Sequence, residues 1–409
     1  MKFLIIAPVP LDGQNTHFGG GVSFSYMGIE NLLKENGHEV RILSPWHNLE
    51  PMFFNSYPGF REIAFTRFNK DKIKRHIAWA DKVLLPDSNI SSYVVKIANR
   101  LNTPTIICNH TDCFKLLSTT FRNKFGLICS SILKSILFPC LRIKTKILSN
   151  AASLYLTTTE QNKKFLQSMG FRVNGLFDNI GPKSMVFRQK DDSAEIANIR
   201  RNLLQGTQFN KIILFAGRIA EEKRIPLLIK ARPENVMLVI VGDGPISHKI
   251  NKYHNPQSGV NFINKMLSQD NLRKLIKATD LSVSASDFET LGMSVYETWL
   301  CGNKSVVQND GGFKDQVKDL SHGKLVDFSD SEMAKAAINE VLNCSTPISA
   351  IQALPTEKSI LDYLIEIKTI PQISKVEQFI LFLIDSIVVL YATRRNTEKK
   401  RIVWNLKEA

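Results

Sequence analysis

Two carboxylates, Glu289 and Glu297, stand with seven residues between them and bracket Gly292 and Met293. The stretch around them, 280–312, reads as a short strand (281–284), a loop carrying Glu289 and a helix carrying Glu297. A Cys301-Gly302 stop, a strand (305–307) and a Gly311-Gly312 turn complete it. One acid lies in the loop and the other about a turn inside the helix, so they cannot share a proton as a paired acid and base. They suit two separate hydroxyl acceptors. The helix start between them presents backbone N–H groups and a positive dipole end, which suits a phosphate. Arg218 and Lys223, just after the apolar run 211–216, place a planar fork and a point charge at a strand-to-helix turn, where both can meet one anion.

Those side chains need a scaffold, and the chain supplies alternating strands and helices. Phe3 to Ala7 is a continuous apolar run, as expected of a parallel strand covered on both faces. A loop ending in Gly19-Gly20-Gly21 leads into a helix from about Val22 to Asn36, and 39–43 is the second strand. A glycine-rich turn at a helix start again suits phosphate, although the spacing is not GxGxxG and Glu39 comes too early for a dinucleotide's ribose ligand. Strands follow at 82–86, 105–109 and 154–158, with helices at 91–101 and 160–169. His110 falls directly after the 105–109 strand, at the edge where α/β sheets place ligands. The second half repeats the pattern: strands at 211–216, 237–241 and 260–263, helices at 226–231 and 269–278, and a Gly242-Asp243-Gly244-Pro245 turn.

At 409 residues the chain is long enough for two domains. The divisions expected are 1–185, 186–370 and a helix with basic tail at 371–409, with the linker near 180–190. A hydrophobic content of 44% with 22% charged residues is that of a globular protein, and the net charge of +15 points to anionic partners. The six cysteines form no CxxC pair, which fits a reduced, cytoplasmic protein with no metal site. The N-terminal apolar run, stopped by Pro8, is too short for a signal peptide.

Two regions raise the question of a membrane. In 121–150, Phe125, Ile128, Cys129, Ile132, Leu133, Ile136 and Leu137 form a helical stripe, and 113–150 carries seven basic residues with no acidic one. That pattern fits a helix on an anionic lipid surface, or a core-facing helix with a solvated basic edge. It offers few stacking aromatics for nucleic acid. The apolar run 379–391 is interrupted by Asp385 and falls short of the ~20 residues a membrane span needs, so it closes back on the domains or lies on a membrane.

Taken together, Gly19-Gly20-Gly21 with Gly37-His38-Glu39-Val40, His110, Gly217-Arg218 with Lys223, Gly242 to Pro245, Glu289 with Glu297, Cys301-Gly302 and Gly311-Gly312 resemble the retaining glycosyltransferases of family four. The resemblance implies the GT-B fold: two Rossmann-like α/β domains facing a cleft. It implies a hexose moved from a nucleotide-sugar donor, such as a UDP-sugar, to a hydroxyl acceptor, with no cofactor and no metal. Arg218 and Lys223 would hold the leaving diphosphate, Glu297 the ribose, and Glu289 the sugar hydroxyls. Gly292 and Met293 would offer N–H groups to phosphate, Gly20 and Gly21 would let the first domain's backbone approach, and His110 would contact the sugar. Glu289-Thr-Leu-Gly292 is similar to sulfoquinovosyldiacylglycerol synthases and related lipid glycosyltransferases, which makes a membrane lipid the candidate acceptor. Thr298, Trp299, Asn303, Lys304 and Asn264 depart from the family pattern. Trp299 and Asn264 keep open a non-catalytic, donor-binding subunit of a transferase complex, and a nucleotide-sugar epimerase of the same fold is the enzymatic alternative.

Overall fold

The computed structural model describes residues 1–7, 20–44, 66, 69–110, 135, 137–177, 186–287, 289, 291–346, 360–367 and 370–385. The loop before Gly20, nearly all of the 121–137 stripe, the first part of the linker and the tail beyond 385 lie outside them.

Two six-stranded parallel sheets organise these residues. The first contains β1 (Lys2–Ile6), β2 (Glu39–Leu43), β3 (Lys82–Pro86), β4 (Thr105–Asn109), β5 (Leu154–Thr157) and β6 (Gly175–Leu176), in the order β2-β1-β3-β4-β5-β6. The second contains β7 (Lys211–Ala216), β8 (Val236–Val241), β9 (Val260–Ile263), β10 (Leu281–Ser284), β11 (Lys304–Gln308) and β12 (Gly323–Val326), in the order β12-β11-β10-β7-β8-β9. The helices used below are α1 (Gly20–Glu35), α2 (Glu160–Ser168), α3 (Gln269–Lys277), α4 (Met293–Leu300), α5 (Phe313–Gln316) and α6 (Ile360–Glu366). This is the GT-B arrangement of two Rossmann-like domains.

The apolar runs form strands because both sheet faces are covered. Successive side chains leave a strand on opposite sides, and the cores divide accordingly. Leu4 and Ile6 enter one core of the first sheet while Phe3 and Ile5 enter the other. Ile213 and Phe215 divide from Ile212 and Leu214 in the same way across the second sheet.

Strand order also fixes where ligands can sit. The winding direction reverses between β1 and β3 in one sheet and between β7 and β10 in the other, and the crevice at such a switch point is where open α/β sheets bind ligands. The loop after β7 carries Arg218 and Lys223, and the loop after β10 carries Glu289. Helix α1 starts at Gly20, so the last two glycines of the triplet are its first residues.

The chain returns to the first domain before residue 370. Tyr363, Leu364 and Ile367 pack beside Phe3, Ile5 and Tyr26, and the buried Lys82 ammonium donates to the carbonyls of Leu364 and Ile365. A lysine there satisfies carbonyls left open where α6 ends. The helix at 375–385 then closes back on the same domain through Leu381, 2% exposed in that domain's core, and the partly buried Ile380. Among the described residues no helix is long and apolar enough to cross a membrane.

The linker's exit is fixed by a buried ion pair. Arg273 of α3 donates to Asp191 at 2.6–3.2 Å and to the Val186 carbonyl at 3.2 Å, and Lys277 reaches the same carboxylate at 2.7 Å. The Arg273 guanidinium, followed by Lys277, holds the Asp191 carboxyl well below the usual carboxylate range.

Candidate active site

The loops after β7 and β10 are fastened to each other by backbone and side chain together. The Asp287 amide donates to the Glu222 carbonyl at 2.9 Å, and Arg224 Nε donates to the Ala285 carbonyl at 2.7 Å. Arg224 also pairs with Asp287 at 3.3 Å. Arg224 holds this place with φ of +46°, a left-handed conformation that a non-glycine residue adopts only when neighbours fix it. Lys223, in the short 3₁₀ turn just before it, is thereby aimed into the second loop. Its ammonium pairs with the Glu289 carboxylate and donates to Ser286 Oγ at 3.3 Å. Lys223 and Glu289 are each 20% exposed, so their charges are screened less than those of a surface pair.

Glycines let the backbones meet. A Cβ on Gly242 would lie 1.8 Å from the Gly217 carbonyl oxygen, and one on Gly244 would lie 2.3 Å from that of Ile219. The loop from Gly217 to Ile219 therefore lies directly against the turn after β8, tied by Ile219 N–H to the Asp243 carbonyl at 3.0 Å. Gly311 and Gly312 perform the same service for Glu289. The Gly312 amide donates to the Glu289 carbonyl at 2.6 Å, and Gly311 has φ of +56°. Gly292, at the start of α4, sits under Phe313 and Gln316, where a Cβ would lie 2.4 Å from the Phe313 ring. Its carbonyl accepts from Gln316 Nε2 at 3.1 Å.

Of the nine sequence candidates, six converge on this edge of the second domain. Lys223 and Glu289 touch, and Gly292 and Met293 start the adjacent helix. Arg218 is 57% exposed and pairs with Glu222 from the same loop. Glu297 is 8% exposed in α4 and lines a crevice with Ser282, Ser284, Ser294 and Thr298. The other three lie in the first domain. Gly20 and Gly21 begin α1, whose Tyr26 ring stands 5.3 Å from the His110 ring, with Phe177 on another side at 5.2 Å. Burial pushes the His110 pKa down to about 3, so the ring is neutral near pH 7 and can contact a sugar only as an uncharged imidazole.

Sequence reasoning missed Asp87, which follows β3 at the first sheet's switch point. It accepts from Tyr155 Oη at 2.5 Å and from Asn109 Nδ2 at 3.2 Å, and burial raises its pKa. It missed Arg224 too, because nothing in a sequence marks a left-handed arginine.

Two of the departures from the family pattern, Trp299 and Asn303, have structural reasons. Trp299 is 4% exposed, packs on Tyr296 and His322 and donates Nε1–H to the His322 carbonyl at 2.9 Å. It belongs to a core beneath α4. Asn303 donates to the carbonyls of Ile276 and Thr279 at 2.7 and 2.6 Å, capping the end of α3.

Comparison with known proteins places these residues in a family context. Residues 199–353 match the family described as Glycosyl transferases group 1. An uncharacterized glycosyltransferase of Methanocaldococcus jannaschii is 31% identical over 159 residues, 36% of this chain and 40% of that protein. The sulfoquinovosyl transferase SQD2 of Arabidopsis thaliana is 28% identical over 148 residues, 36% of this chain and 28% of that one. The matches span about two fifths or less of these curated relatives. Among solved structures, Anabaena HepE in complex with UDP and glucose aligns over 100% of both chains, with a TM-score of 0.56 and 16% identity. Sucrose-phosphate synthase from Thermosynechococcus elongatus aligns over 99% of this chain and 100% of its own, with a TM-score of 0.59 and 14% identity.

Proposed function

We propose that this chain, a GT-B protein carrying a group 1 glycosyl transferase domain, is a retaining glycosyltransferase that moves a hexose from a nucleotide-sugar donor to a lipid hydroxyl. The observation that carries the reading is the Lys223–Glu289 pair, held at the second domain's switch point beside the start of α4. An ammonium paired with a carboxylate, a few residues before a helix start, offers what a sugar diphosphate asks of a protein: cations for the phosphates and an acceptor for sugar hydroxyls.

In this reading the diphosphate draws Lys223 and the exposed Arg218 toward itself and frees Glu289 to accept sugar hydroxyls. The two cations stabilise the charge that develops on the departing diphosphate, the work a metal ion does elsewhere. Glu297 takes the ribose. The acceptor approaches from the first domain, where His110 and Asp87 lie on the sheet edge, and attacks the face the nucleotide leaves. A UDP-sugar is the favoured donor because HepE was solved with UDP and glucose. A lipid acceptor at a cytoplasmic membrane face is favoured by the chain's basic charge and by the resemblance of Glu289 to Gly292 to lipid glycosyltransferases.

The test begins with a screen of nucleotide sugars for thermal stabilisation, since a ligand that binds only the folded state raises stability by mass action. Transfer from the donor so identified should be abolished by Lys223→Ala or Glu289→Ala with the circular dichroism spectrum unchanged. Full activity in either variant overturns the assignment.

A further inference from the structure

We infer that the outer face of the 375–385 helix is a docking surface for an anionic lipid bilayer. The inference rests on the reading of the acceptor as a lipid. It adds which surface meets the membrane and which domain that surface orients.

The helix is built with two faces. Ser374 and Glu377 form a reciprocal cap at its start: the Glu377 amide donates to Ser374 Oγ at 3.2 Å, and the Ser374 amide to Glu377 Oε2 at 2.9 Å. Its inner face buries Leu381 in the first domain's core and leaves Ile384 6% exposed. Arg100 donates to Gln378 at 3.1 Å, and Asp385 pairs at 2.7 Å with Lys144, whose side chain is 5% exposed. Asp385, which breaks the apolar run in the sequence, thus fastens the helix to the protein.

The outer face carries Val376, Phe379, Phe382 and Leu383, exposed by 68%, 60%, 62% and 45%. These positions fall on one stripe of about 120°, opposite Leu381 and Ile384. Isolated exposed apolar residues are ordinary on a protein surface, but clustering is not. Of eleven large hydrophobic side chains exposed among the described residues, four lie on these eleven helix residues.

Charge identifies the occupant. The sequence beyond 385 continues with Ile387-Val-Val-Leu-Tyr391, then holds six basic residues (Arg394, Arg395, Lys399, Lys400, Arg401, Lys407) against Glu398 and Glu408. A second copy of this chain would bring the same excess of cations against itself. A bilayer of anionic headgroups complements the chain's excess of cations and takes the exposed phenylalanines into its interfacial layer. Because Lys144 and Leu381 tie the helix to the first domain, binding would hold that domain at the membrane.

The full chain should float with phosphatidylcholine vesicles containing phosphatidylglycerol and stay behind with phosphatidylcholine alone. Phe379→Ser/Phe382→Ser should lower partitioning at least about tenfold, with thermal midpoint and stabilisation by UDP unchanged. Wild-type binding by that variant, or no binding by the wild type, overturns the inference. So does sedimentation showing a dimer that the double variant dissolves. If the transferase reading alone fails, vesicle binding persists without turnover of any nucleotide sugar; if the surface alone fails, turnover persists without vesicle binding.

Discussion

Gly311→Ala should separate the seat of Glu289 from the rest of the fold. An ideal Cβ at 311 would lie 2.5 Å from the Glu289 carbonyl oxygen and 3.0 Å from its amide nitrogen. Ordinary contact begins at 3.4 Å, so the Glu289 backbone must retreat by about 0.9 Å (3.4 − 2.5). Misplacing a group near reacting atoms by about 1 Å costs on the order of a hundredfold in rate, or about 2.7 kcal/mol of barrier. The left-handed φ of +56° at Gly311 adds strain of about 1–2 kcal/mol on its own, which should lower the thermal midpoint by a few degrees. Gly302→Ala separates the two effects. Gly302 has φ of +89° but nothing within 4 Å of its added Cβ, so it carries the strain without the displacement. Both variants should lose a few degrees, and only Gly311→Ala should lose about a hundredfold in kcat/KM for nucleotide-sugar turnover. Wild-type kcat/KM in Gly311→Ala, or equal losses in the two variants, would refute the idea that the glycine pair seats Glu289.

Arg273→Ala should be strongly destabilising, by about 3–5 kcal/mol, because it leaves the 3%-exposed Asp191 carboxylate beside Lys277 without its main partner. Since Asp191 is held below its unfolded pKa, its contribution is present above about pH 4 and lost on acidification, so the midpoint gap between wild type and Asp191→Asn should close below that pH. His110 has the same sign from a different cause, burial of the ring: the unfolded chain binds its proton near pH 6.5 and the folded one near 3, so stability rises with pH across that window. His110→Gln should flatten the midpoint-against-pH curve between about 4 and 6. It should leave the shape of the pH–rate profile between about 5 and 8 unchanged, since the ring is neutral throughout.

The sheets were readable because both faces of each are buried. An apolar run such as Val236 to Val241 has few other fates, and the ends of β7 and β8 are marked by glycines the backbone needs, Gly217 and Gly242. The Lys223–Glu289 neighbourhood was readable for the same reason, since loops after strands at a switch point must converge. What escaped depends on pairing across long separations in sequence. Asp87, Asn109 and Tyr155 each look ordinary alone, and only adjacency of β3, β4 and β5 joins them. The helix at 375–385 was ambiguous because its apolar run serves two surfaces, and one buried lysine 241 positions away decides which side faces in.

The six residues 311–316 join the parts of the site. Gly311 and Gly312 seat the backbone of Glu289, while Phe313 and Gln316 lie against Gly292 at the start of α4. Asp315, on the same short helix, accepts from the Gln161 amide of the first domain at 3.0 Å. That amide belongs to the first turn of α2, where backbone donors lack intrahelical partners and the dipole favours a carboxylate. Because α5 is a single turn, movement at Asp315 has no length of chain in which to dissipate before it reaches Gly312. A shift of the first domain that keeps the Asp315 contact must therefore carry the Glu289 carbonyl and the start of α4 with it. A shift that breaks the contact leaves a carboxylate and a helix N-terminus to water. The position of Glu289 and of the start of α4 is in this way tied to that of the first domain.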